Sequence, residues 1–480
     1  MTGPGTVNAS VRSSQRLLLL VIASVFVLKA IVTLWILLRQ NDPHTADFTI
    51  GWTDAYQLIA HNIVSGNGYR FTPHTAPTTL REPGYPLLLA GLSAVFGNAF
   101  WIVVLANLVM SSISAFLIGL LARQIFTDRL VPLVAPILFM LHPGEIVAEL
   151  RSGVEVPFTL LLLCFFVLWR RALVSEKLTA YFLSGLALGL ACIVRSAVLL
   201  FPLFLLLYQM VRTRGQAALL FRRICGVALM TLALGLILTP WTVRNSSLVH
   251  EFIPTASVQG HSMQVGLYQC THGGLGQDFG QMELAASEVR KRQAVAAGYR
   301  FEGDYYLFFY DPKDEVRFNS LLKQQAIDTY KQSPALLLKC ASENVVNFWF
   351  RGRTTFATIG ITLVQVPWLV LALLGLVMGF RRSERAMLVS ILLFVVYLVA
   401  VCAPIHAEAR YSVPLIPFLA MLAAIPICRW IEYLRNRGDA TPRALYRSWV
   451  RGESFLERRK RQMDPSRPNH RLNSSNARVP

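Results

Sequence analysis

Long apolar runs constrain the fold of this chain more than any other feature of its sequence. A bilayer core about 30 Å thick needs roughly 20 mostly apolar residues in helical form. Such runs cover residues 17–38, 101–121, 130–141, 153–169, 179–193, 197–211, 224–241, 359–380, 386–402 and 411–431. They predict an all-α polytopic membrane protein with a bundle of about ten transmembrane helices. Because the run 130–141 is short and Arg195 interrupts 179–211, that count is open by about one or two.

The composition agrees with membrane spans and argues against a soluble nucleic-acid-binding protein. Of all residues, 54% are hydrophobic and 15% are charged, whereas soluble domains have about 25% charged residues. The net charge is +19, but the basic residues are divided among short segments between apolar runs instead of covering one exposed face. The first run is too long and lies too far into the chain for a cleaved signal peptide, so it predicts a retained first span.

The connections between apolar runs predict an orientation. Alternate short connections are rich in Lys and Arg, which indicates that they are cytoplasmic. The predicted divisions are a cytoplasmic N-terminus at 1–16, an N-terminal transmembrane module at 17–241 with its catalytic first outer loop at 39–100, an extracytoplasmic segment at 242–358, C-terminal transmembrane helices at 359–431 and a basic cytoplasmic tail at 432–480. The long outer segments are rich in aromatic residues and are expected to be ordered. The short apolar stretch 85–96 predicts an interfacial helix.

Ionisable residues are concentrated in the outer segments. A channel or carrier places such groups at mid-membrane, and this chain has little there beyond Lys29 and Arg195. The long aliphatic stem of Lys29 can also carry its charged end into a polar interior of the bundle. This structural role is the alternative to a functional one. Chemistry is therefore expected at the outer membrane surface.

Four groups of polar residues stand out on the outer side. They are Asp54 with Tyr56, the motif Arg81-Glu82-Pro83-Gly84-Tyr85-Pro86, the acids Glu145, Glu149 and Glu155 near Arg151, and the two span ends Pro240-Trp241-Thr242-Val243-Arg244-Asn245 and His406, Glu408, Arg410 and Tyr411. Each group has a structural alternative. Asp54 is also typical of a helix N-cap, and Pro83 and Pro86 are typical of the start of a helix. Arg244 and Arg410 are alternatively interfacial anchors. Glu145 and Glu149 are alternatively ion-pair partners of Arg151.

The order of these motifs resembles that of the GT-C glycosyltransferases that use polyprenyl-phosphate sugars. Family 39-type enzymes are most similar, namely protein O-mannosyltransferases and the lipid A aminoarabinose transferase. The resemblance implies a GT-C-like bundle and sugar transfer on the extracytoplasmic side, with a lipid monophosphate as leaving group. It implies that Asp54 acts at the acceptor, that Arg81 and Glu82 contact the donor phosphate or a cation, and that a second acid follows. The sequence Asp54-Ala55 lacks the paired acids of some relatives, which argues against protein O-mannosyl transfer.

The chemistry supports these roles without the resemblance. A carboxylate that takes the acceptor proton contributes about 10²–10⁴-fold, and one base opposite the leaving group predicts inversion. Arginine forks match phosphate geometry. The predicted catalytic residues are Asp54 and Glu149, with Glu145 and Glu155 competing for the second place. The predicted donor-phosphate site consists of Arg81, Glu82, Tyr85, Arg244, Arg410 and Tyr411. The predicted acceptor or sugar site consists of Tyr56, Glu145, His261 and His406.

No cofactor is predicted to be required, and a divalent metal stays an alternative. Glu82 with His261 or His406 would supply its ligands, but no fixed i,i+4 ligand pair demands a metal. Cys270 and Cys340 lie well inside the long outer segment, and the other cysteines lie in apolar runs. Because the outer side is oxidising, these two cysteines are predicted to form a disulfide.

The leading hypothesis is an inverting glycosyltransferase of a bacterial-type plasma membrane, with its active site facing the periplasm or exterior. Its predicted partners are a polyprenyl-phosphate sugar, membrane lipids and a lipid, glycan or protein acceptor, with no nucleic acid. The rival hypotheses are a transporter or flippase of a lipid-linked sugar and a non-catalytic assembly subunit. A transporter would need polar groups along a mid-membrane path.

Overall fold

A computed structural model describes residues 4–39, 51–52, 54–273, 278–380 and 384–435. The predicted basic tail from residue 436 onward lies outside the described residues. The helices are α1 (Pro4–Arg39), α2 (Tyr56–Val64), α3 (Gly84–Phe96), α4 (Phe100–Ile125), α5 (Val131–Met140), α6 (Pro143–Glu149), α7 (Glu155–Ser175), α8 (Leu178–Val194), α9 (Phe201–Arg212), α10 (Ala217–Val249), α11 (Gln259–His272), α12 (Phe279–Ala296), α13 (Pro312–Gln332), α14 (Pro334–Phe350), α15 (Thr355–Gly379), α16 (Arg385–Cys402) and α17 (Ile416–Arg435). Two 3₁₀ helices cover Ser196–Val198 and Ala409–Leu415.

Strands are few and short in the described part of the chain. Strand β1 (Gly51–Trp52) pairs in parallel with β2 (Arg151–Ser152). Strands β3 (Phe301–Glu302) and β4 (Phe308–Phe309) form an antiparallel pair. The predicted all-α class is thus confirmed, and the β1–β2 pair ties the first outer loop to the second.

Seven of the described helices are long and apolar enough to cross a membrane. They are Arg16–Trp35, Phe100–Ile125, Glu155–Ser175, Ala217–Val249, Thr355–Gly379, Arg385–Cys402 and Ala409–Leu434. Helices α5 and α6 form an eighth candidate as a span broken by a bend of 56°. The chain is therefore a multi-pass membrane protein, with fewer candidate spans than the predicted ten.

The predicted spans 179–193 and 197–211 account for the difference. Both are helical, but α8 has 17 residues and rises only about 26 Å at 1.5 Å per residue. Helix α8 is packed inside the bundle against α10, where a Cβ at Gly185 would lie 2.2 Å from the carbonyl oxygen of Met230. Small residues allow such close backbone approach, which drives helix association in lipid.

The core of the bundle is a cluster of buried aromatic side chains. Phe166 packs against Phe201, Phe394 and Phe418 with ring centroids 4.9 to 6.4 Å apart. The indole of Trp169 donates to Ser390 Oγ at 3.1 Å, which satisfies the buried polar atoms of both. These contacts join α7, α9, α16 and α17 and fix the bundle under the outer segment.

The outer segment after α10 is ordered by helices, as its aromatic content predicted. Helices α11 to α14 and the β3–β4 pair cover most of it. The predicted interfacial stretch 85–96 is helix α3, and a Cβ at Gly84 would lie 2.8 Å from the carbonyl oxygen of Ile193. The motif that begins at Arg81 is thus held against the end of α8.

Helices α11 and α14 are joined by a disulfide between Cys270 and Cys340. Five cysteines elsewhere are free thiols, out of seven in the chain. We expect thiol titration of the denatured, non-reduced protein to find five thiols, and seven after reduction. Seven thiols before reduction would contradict the bridge.

Candidate active site

Asp54 lies on a sharp turn between β1 and α2. Asp54 and Ala55 have φ angles of 59° and 58°, a left-handed conformation that is uncommon for residues other than glycine. Ala55, not Asp54, is the N-cap of α2, and no side chain caps that helix. The N-cap alternative for Asp54 therefore does not describe its role, and the turn leaves its carboxylate available for other partners.

The Asp54 carboxylate is held by Arg410 and Tyr306. Arg410 Nη1 lies 2.5 Å from Oδ2, and the Tyr306 hydroxyl donates to Oδ1 at 3.0 Å. Arg410 Nε also donates to Glu408. Burial raises the pKa of Asp54, but the charges of Arg410 and Arg81 and the hydrogen bonds outweigh it and hold that pKa well below its usual value. Asp54 is therefore an anion at neutral pH.

Asp54 faces a polar cavity of about 450 Å³. Acids, arginines and tyrosines form most of its wall, namely Asp54, Asp278, Glu283, Glu408, Arg151, Arg353, Arg410, Tyr305 and Tyr306. Glu283 pairs with Arg353 at 3.2 Å, and burial, followed by the charge of Glu408, raises the pKa of Glu283. The cavity is suited to a polar, hydroxyl-rich ligand.

An apolar groove of about 430 Å³ adjoins this cavity. Its apolar lining includes Val147, Ala148, Phe356, Ala357, Ile361, Val364, Val413 and Ile416. At its polar end it shares five residues with the polar cavity, which are Arg151, Arg353, Thr354, Glu408 and Arg410. A ligand with an apolar chain and an anionic head would place the head at these arginines.

Arg81 lies beside Asp54. Its guanidinium is 5.1 Å from the ring of Tyr56 and 4.8 Å from that of Tyr306, and its buried Nε and Nη2 make no hydrogen bond to any residue that the structure describes. Tyr56 contacts Tyr85 edge-on, with centroids 5.2 Å apart, and the Tyr85 hydroxyl lies 3.0 Å from Ser152 Oγ. The structure thus brings Asp54, Tyr56, Arg81, Tyr85 and Arg410 into one group of neighbouring side chains.

Other predicted donor-site residues have structural partners. Arg244 Nη1 donates to the carbonyl oxygen of Thr78 at 2.6 Å, so this arginine fastens the first outer loop to α10. Glu82 Oε1 accepts from Ser196 Oγ at 2.6 Å. The ring of Tyr411 lies 4.2 Å from the Arg195 guanidinium. None of these three predicted residues lines either cavity.

The two predicted histidines lie behind the cavity wall. His261 stacks on Tyr306 with centroids 5.5 Å apart, and His406 Nδ1 lies 3.1 Å from Gln269 Oε1. Burial lowers the pKa of His406 to about 4. Within the described ranges, no three His, Cys, Asp or Glu side chains converge as a metal site.

Comparisons with known proteins agree with this architecture. Residues 77–242 match a family model described as dolichyl-phosphate-mannose-protein mannosyltransferase. The archaeal oligosaccharyltransferase AglB from Archaeoglobus fulgidus, in complex with an inhibitory peptide and a dolichol-phosphate, is similar over 93% of this chain, with a TM-score of 0.51 and 12% identity. The chain therefore has a fold like that of AglB. It spans about half of AglB, 52% of that chain.

Other comparisons are weaker. ArnT from Cupriavidus metallidurans bound to undecaprenyl phosphate is 16% identical, with a TM-score of 0.40 over 87% of this chain and 81% of ArnT. Apo ArnT is also 16% identical, with a TM-score of 0.35 over 88% of this chain and 80% of ArnT. Comparison with curated proteins gives no significant match. The family match includes Arg81 and Glu155 but neither Asp54 nor Arg410.

The three acids that compete for the second catalytic place have different surroundings. Glu155 lines the apolar groove beside Arg151. Glu149 is 1% exposed and pairs with Lys29 at 2.5 Å. Glu145 is fully buried, with Ser111 and Glu149 beside its carboxylate. Of the three, Glu155 is the acid that lines the apolar groove.

The Lys29–Glu149 pair fixes the backbone that supports Asp54. Asn107 Nδ2 donates to the carbonyl oxygens of Glu149 at 3.0 Å and Arg151 at 2.8 Å. Strand β2 begins at Arg151 and pairs with β1, which leads to Asp54. Lys29 thus joins the first span to this support, instead of lining a path through the membrane.

We expect Lys29→Met to destabilise the protein strongly. It leaves Glu149 buried without its partner, which costs about 3–5 kcal/mol. Thermal unfolding in detergent, followed by intrinsic fluorescence, measures the effect. Lys29→Met/Glu149→Gln should recover most of the loss, and Lys291→Met, which removes an exposed pair with Asp304, should have little effect. A Lys29→Met protein as stable as the wild type would contradict this role of the pair.

Sequence reasoning missed much of the cavity wall. Arg353 and Glu283 lie in the outer segment, where no motif marks them, and Tyr305 and Tyr306 signalled only an aromatic-rich region. Arg151 was considered only as a partner for nearby acids. Arg151 lies between these acids and the next span in sequence. That position was the available signal, because the β1–β2 pair places Arg151 next to the strand that leads to Asp54.

Proposed function

We propose that this protein is a GT-C glycosyltransferase that transfers a sugar from a polyprenyl-phosphate donor to an acceptor hydroxyl, with inversion at the anomeric carbon. The observation that carries the proposal is the junction of the apolar groove and the polar cavity. Arg151, Arg353 and Arg410 line both, and Asp54 lies against Arg410. The family model matched by residues 77–242 is that of an enzyme class named for a dolichyl-phosphate sugar.

The groove accommodates the donor lipid. The isoprenoid chain lies against apolar side chains of α6 and α15, and the phosphate reaches the three arginines. Arginine forks bind phosphate oxygens in pairs. When the sugar–oxygen bond breaks, the departing phosphate gains negative charge. The arginines therefore stabilise the transition state more than the bound donor.

Asp54 serves as the general base. The acceptor oxygen attacks the anomeric carbon while its proton passes to the Asp54 carboxylate, and the bonding electrons of the sugar–phosphate link leave with the lipid phosphate. Attack from the face opposite the leaving group inverts the anomeric centre without a covalent enzyme intermediate. Arg410 contacts Asp54 and also faces the proposed phosphate site, so bound phosphate would weaken its hold on Asp54 and make that carboxylate more basic.

The reaction is assigned to the extracytoplasmic face of a bacterial-type plasma membrane. Basic connections mark the opposite side as cytoplasmic, and Asp54 belongs to the first outer loop in that orientation. The lipid tail of the donor would remain in the bilayer while its sugar enters the polar cavity.

Release of lipid phosphate tests the proposal. We expect the purified protein in nanodiscs to release polyprenyl phosphate from at least one donor in a panel of fluorescent polyprenyl-phosphate sugars. Acceptors in the same reaction would include simple alkyl glycosides, peptides and lipid alcohols. In sealed vesicles, movement of intact donor across the bilayer without release would contradict glycosyl transfer and favour the transporter.

A further inference from the structure

An open groove of about 500 Å³ continues from the polar cavity between α11 and α12. We call it the outer groove; its lining is Tyr268, His272, Asp278, Gln281, Met282, Ala285 and Thr355. Asp278 and Gln281 also line the polar cavity. A ligand in the outer groove can therefore extend toward Asp54.

An aromatic surface forms one side of the outer groove. Tyr268 and His272 lie one turn apart on α11, and their rings stack with centroids 4.2 Å apart and planes 10° apart. Thr271 Oγ1 lies 2.8 Å from His272 Nδ1 and restrains that ring. Aromatic side chains provide a rigid apolar face with a polar edge. A sugar ring, with C–H groups on one face and hydroxyls at its edge, complements such a surface.

The opposite side supplies hydrogen-bonding groups on a fixed backbone. The Asp278 carboxylate accepts from the backbone N–H and hydroxyl of Thr355 at 2.7 and 2.9 Å, which ties α12 to α15. Gln281 offers an exposed amide that both donates and accepts. On the other side, the disulfide at Cys270 anchors α11 between Tyr268 and His272. The groove is therefore pre-formed, which limits the entropy lost on binding.

The charges along this path favour a neutral ligand. Asp278 lines both the outer groove and the polar cavity, and inside the cavity Glu283 is paired with Arg353 and Glu408 with Arg410. An anionic acceptor would meet the Asp278 carboxylate in the outer groove and then arginines that already hold carboxylates. A neutral polyhydroxylated chain meets hydrogen-bond acceptors without that repulsion.

We propose that the outer groove binds the acceptor and that the acceptor is a neutral oligosaccharide. Its terminal sugar enters the polar cavity beside Asp54, and a preceding sugar lies against Tyr268 and His272. This inference rests on the proposed glycosyl transfer and adds to it the class of acceptor.

Acceptor length provides the test. The probes are octyl monosaccharides and the matching neutral octyl tetrasaccharides of mannosyl, glucosyl, galactosyl and arabinofuranosyl series, with a donor from the panel above. We expect the wild type to prefer a tetrasaccharide over its monosaccharide by on the order of tenfold in kcat/KM, since only the longer acceptor reaches the aromatic surface. Tyr268→Ala should reduce this preference to about one. Gln281→Ala, on the opposite side, should reduce it as well.

The control is Tyr310→Ala, which removes an exposed tyrosine of the outer segment that lines none of the three cavities. It should keep the wild-type preference. If donor is consumed but tetrasaccharides and monosaccharides react alike, or peptides or lipid alcohols are preferred, the acceptor inference is wrong and glycosyl transfer stands. Absence of lipid phosphate release with every donor would overturn the proposed function and this inference together.

Discussion

Asp54→Asn is expected to reduce sugar transfer by about 10²–10⁴-fold, the contribution of a positioned general base. Asparagine keeps the size of the side chain, and its amide oxygen can still accept from Tyr306. It cannot take the acceptor proton, so the loss should appear in kcat. The measurement is release of fluorescent polyprenyl phosphate in the presence of acceptor.

The matched control is Asp304→Asn. Asp304 belongs to the same outer part of the chain, its side chain is 82% exposed, and it pairs with Lys291 on the surface. Transfer by this variant should equal that of the wild type. An Asp54→Asn protein with wild-type kcat would remove Asp54 from the role of base, whatever its effect on stability.

Arg410→Gln is expected to lower kcat/KM by about 10²–10³-fold, as for the loss of a strong donor to developing charge. It should also change the pH dependence. In the wild type, burial raises the pKa of Asp54, and the charge of Arg410 is the largest of the influences that lower it. Together these influences hold that pKa well below its usual value. Without that charge, burial raises the pKa. A base works only when deprotonated, so the acid limb of the kcat/KM profile should move to higher pH and activity should fall further on acidification.

Two further variants separate charge from geometry. Arg410→Lys keeps a positive charge without the planar fork, so we expect weaker donor use with a smaller shift of the acid limb. Arg317→Gln, at a residue 65% exposed, should leave the profile unchanged. A profile of Arg410→Gln that coincides with the wild type in its acid limb would show that Asp54 is not the group that limits the rate at low pH.

The two arginines at span ends show why part of the site could not be predicted. Arg244 and Arg410 look alike in sequence, since each lies within three residues of an aromatic residue at the outer end of an apolar run. In the fold, Arg244 donates to a backbone carbonyl of the first loop, whereas Arg410 pairs with Asp54. Local spacing assigns both the same chemistry, and only packing selects the partner.

The acids after α5 make the same point. Glu145 and Glu149 were expected near the reaction because the resemblance implies a second acid in this connection, but Glu149 pairs with Lys29 of the first span and Glu145 is buried. Glu155, the first residue of α7, reaches the groove. A difference of a few residues decided between a buried support and a cavity wall, because α6 ends at Glu149 and β2 separates it from α7.

The sequence by itself determined the membrane architecture, the ordered outer segment and the placement of Asp54, Tyr56 and Arg81 in one loop. These properties depend on runs of neighbouring residues, whose hydrophobicity and spacing are local. The tertiary structure decided which groups meet across long separations: Tyr306 reaches Asp54 over 252 residues and Arg410 reaches it over 356. Such contacts arise from the packing of α11 to α17 over the first loop, and no local pattern encodes them.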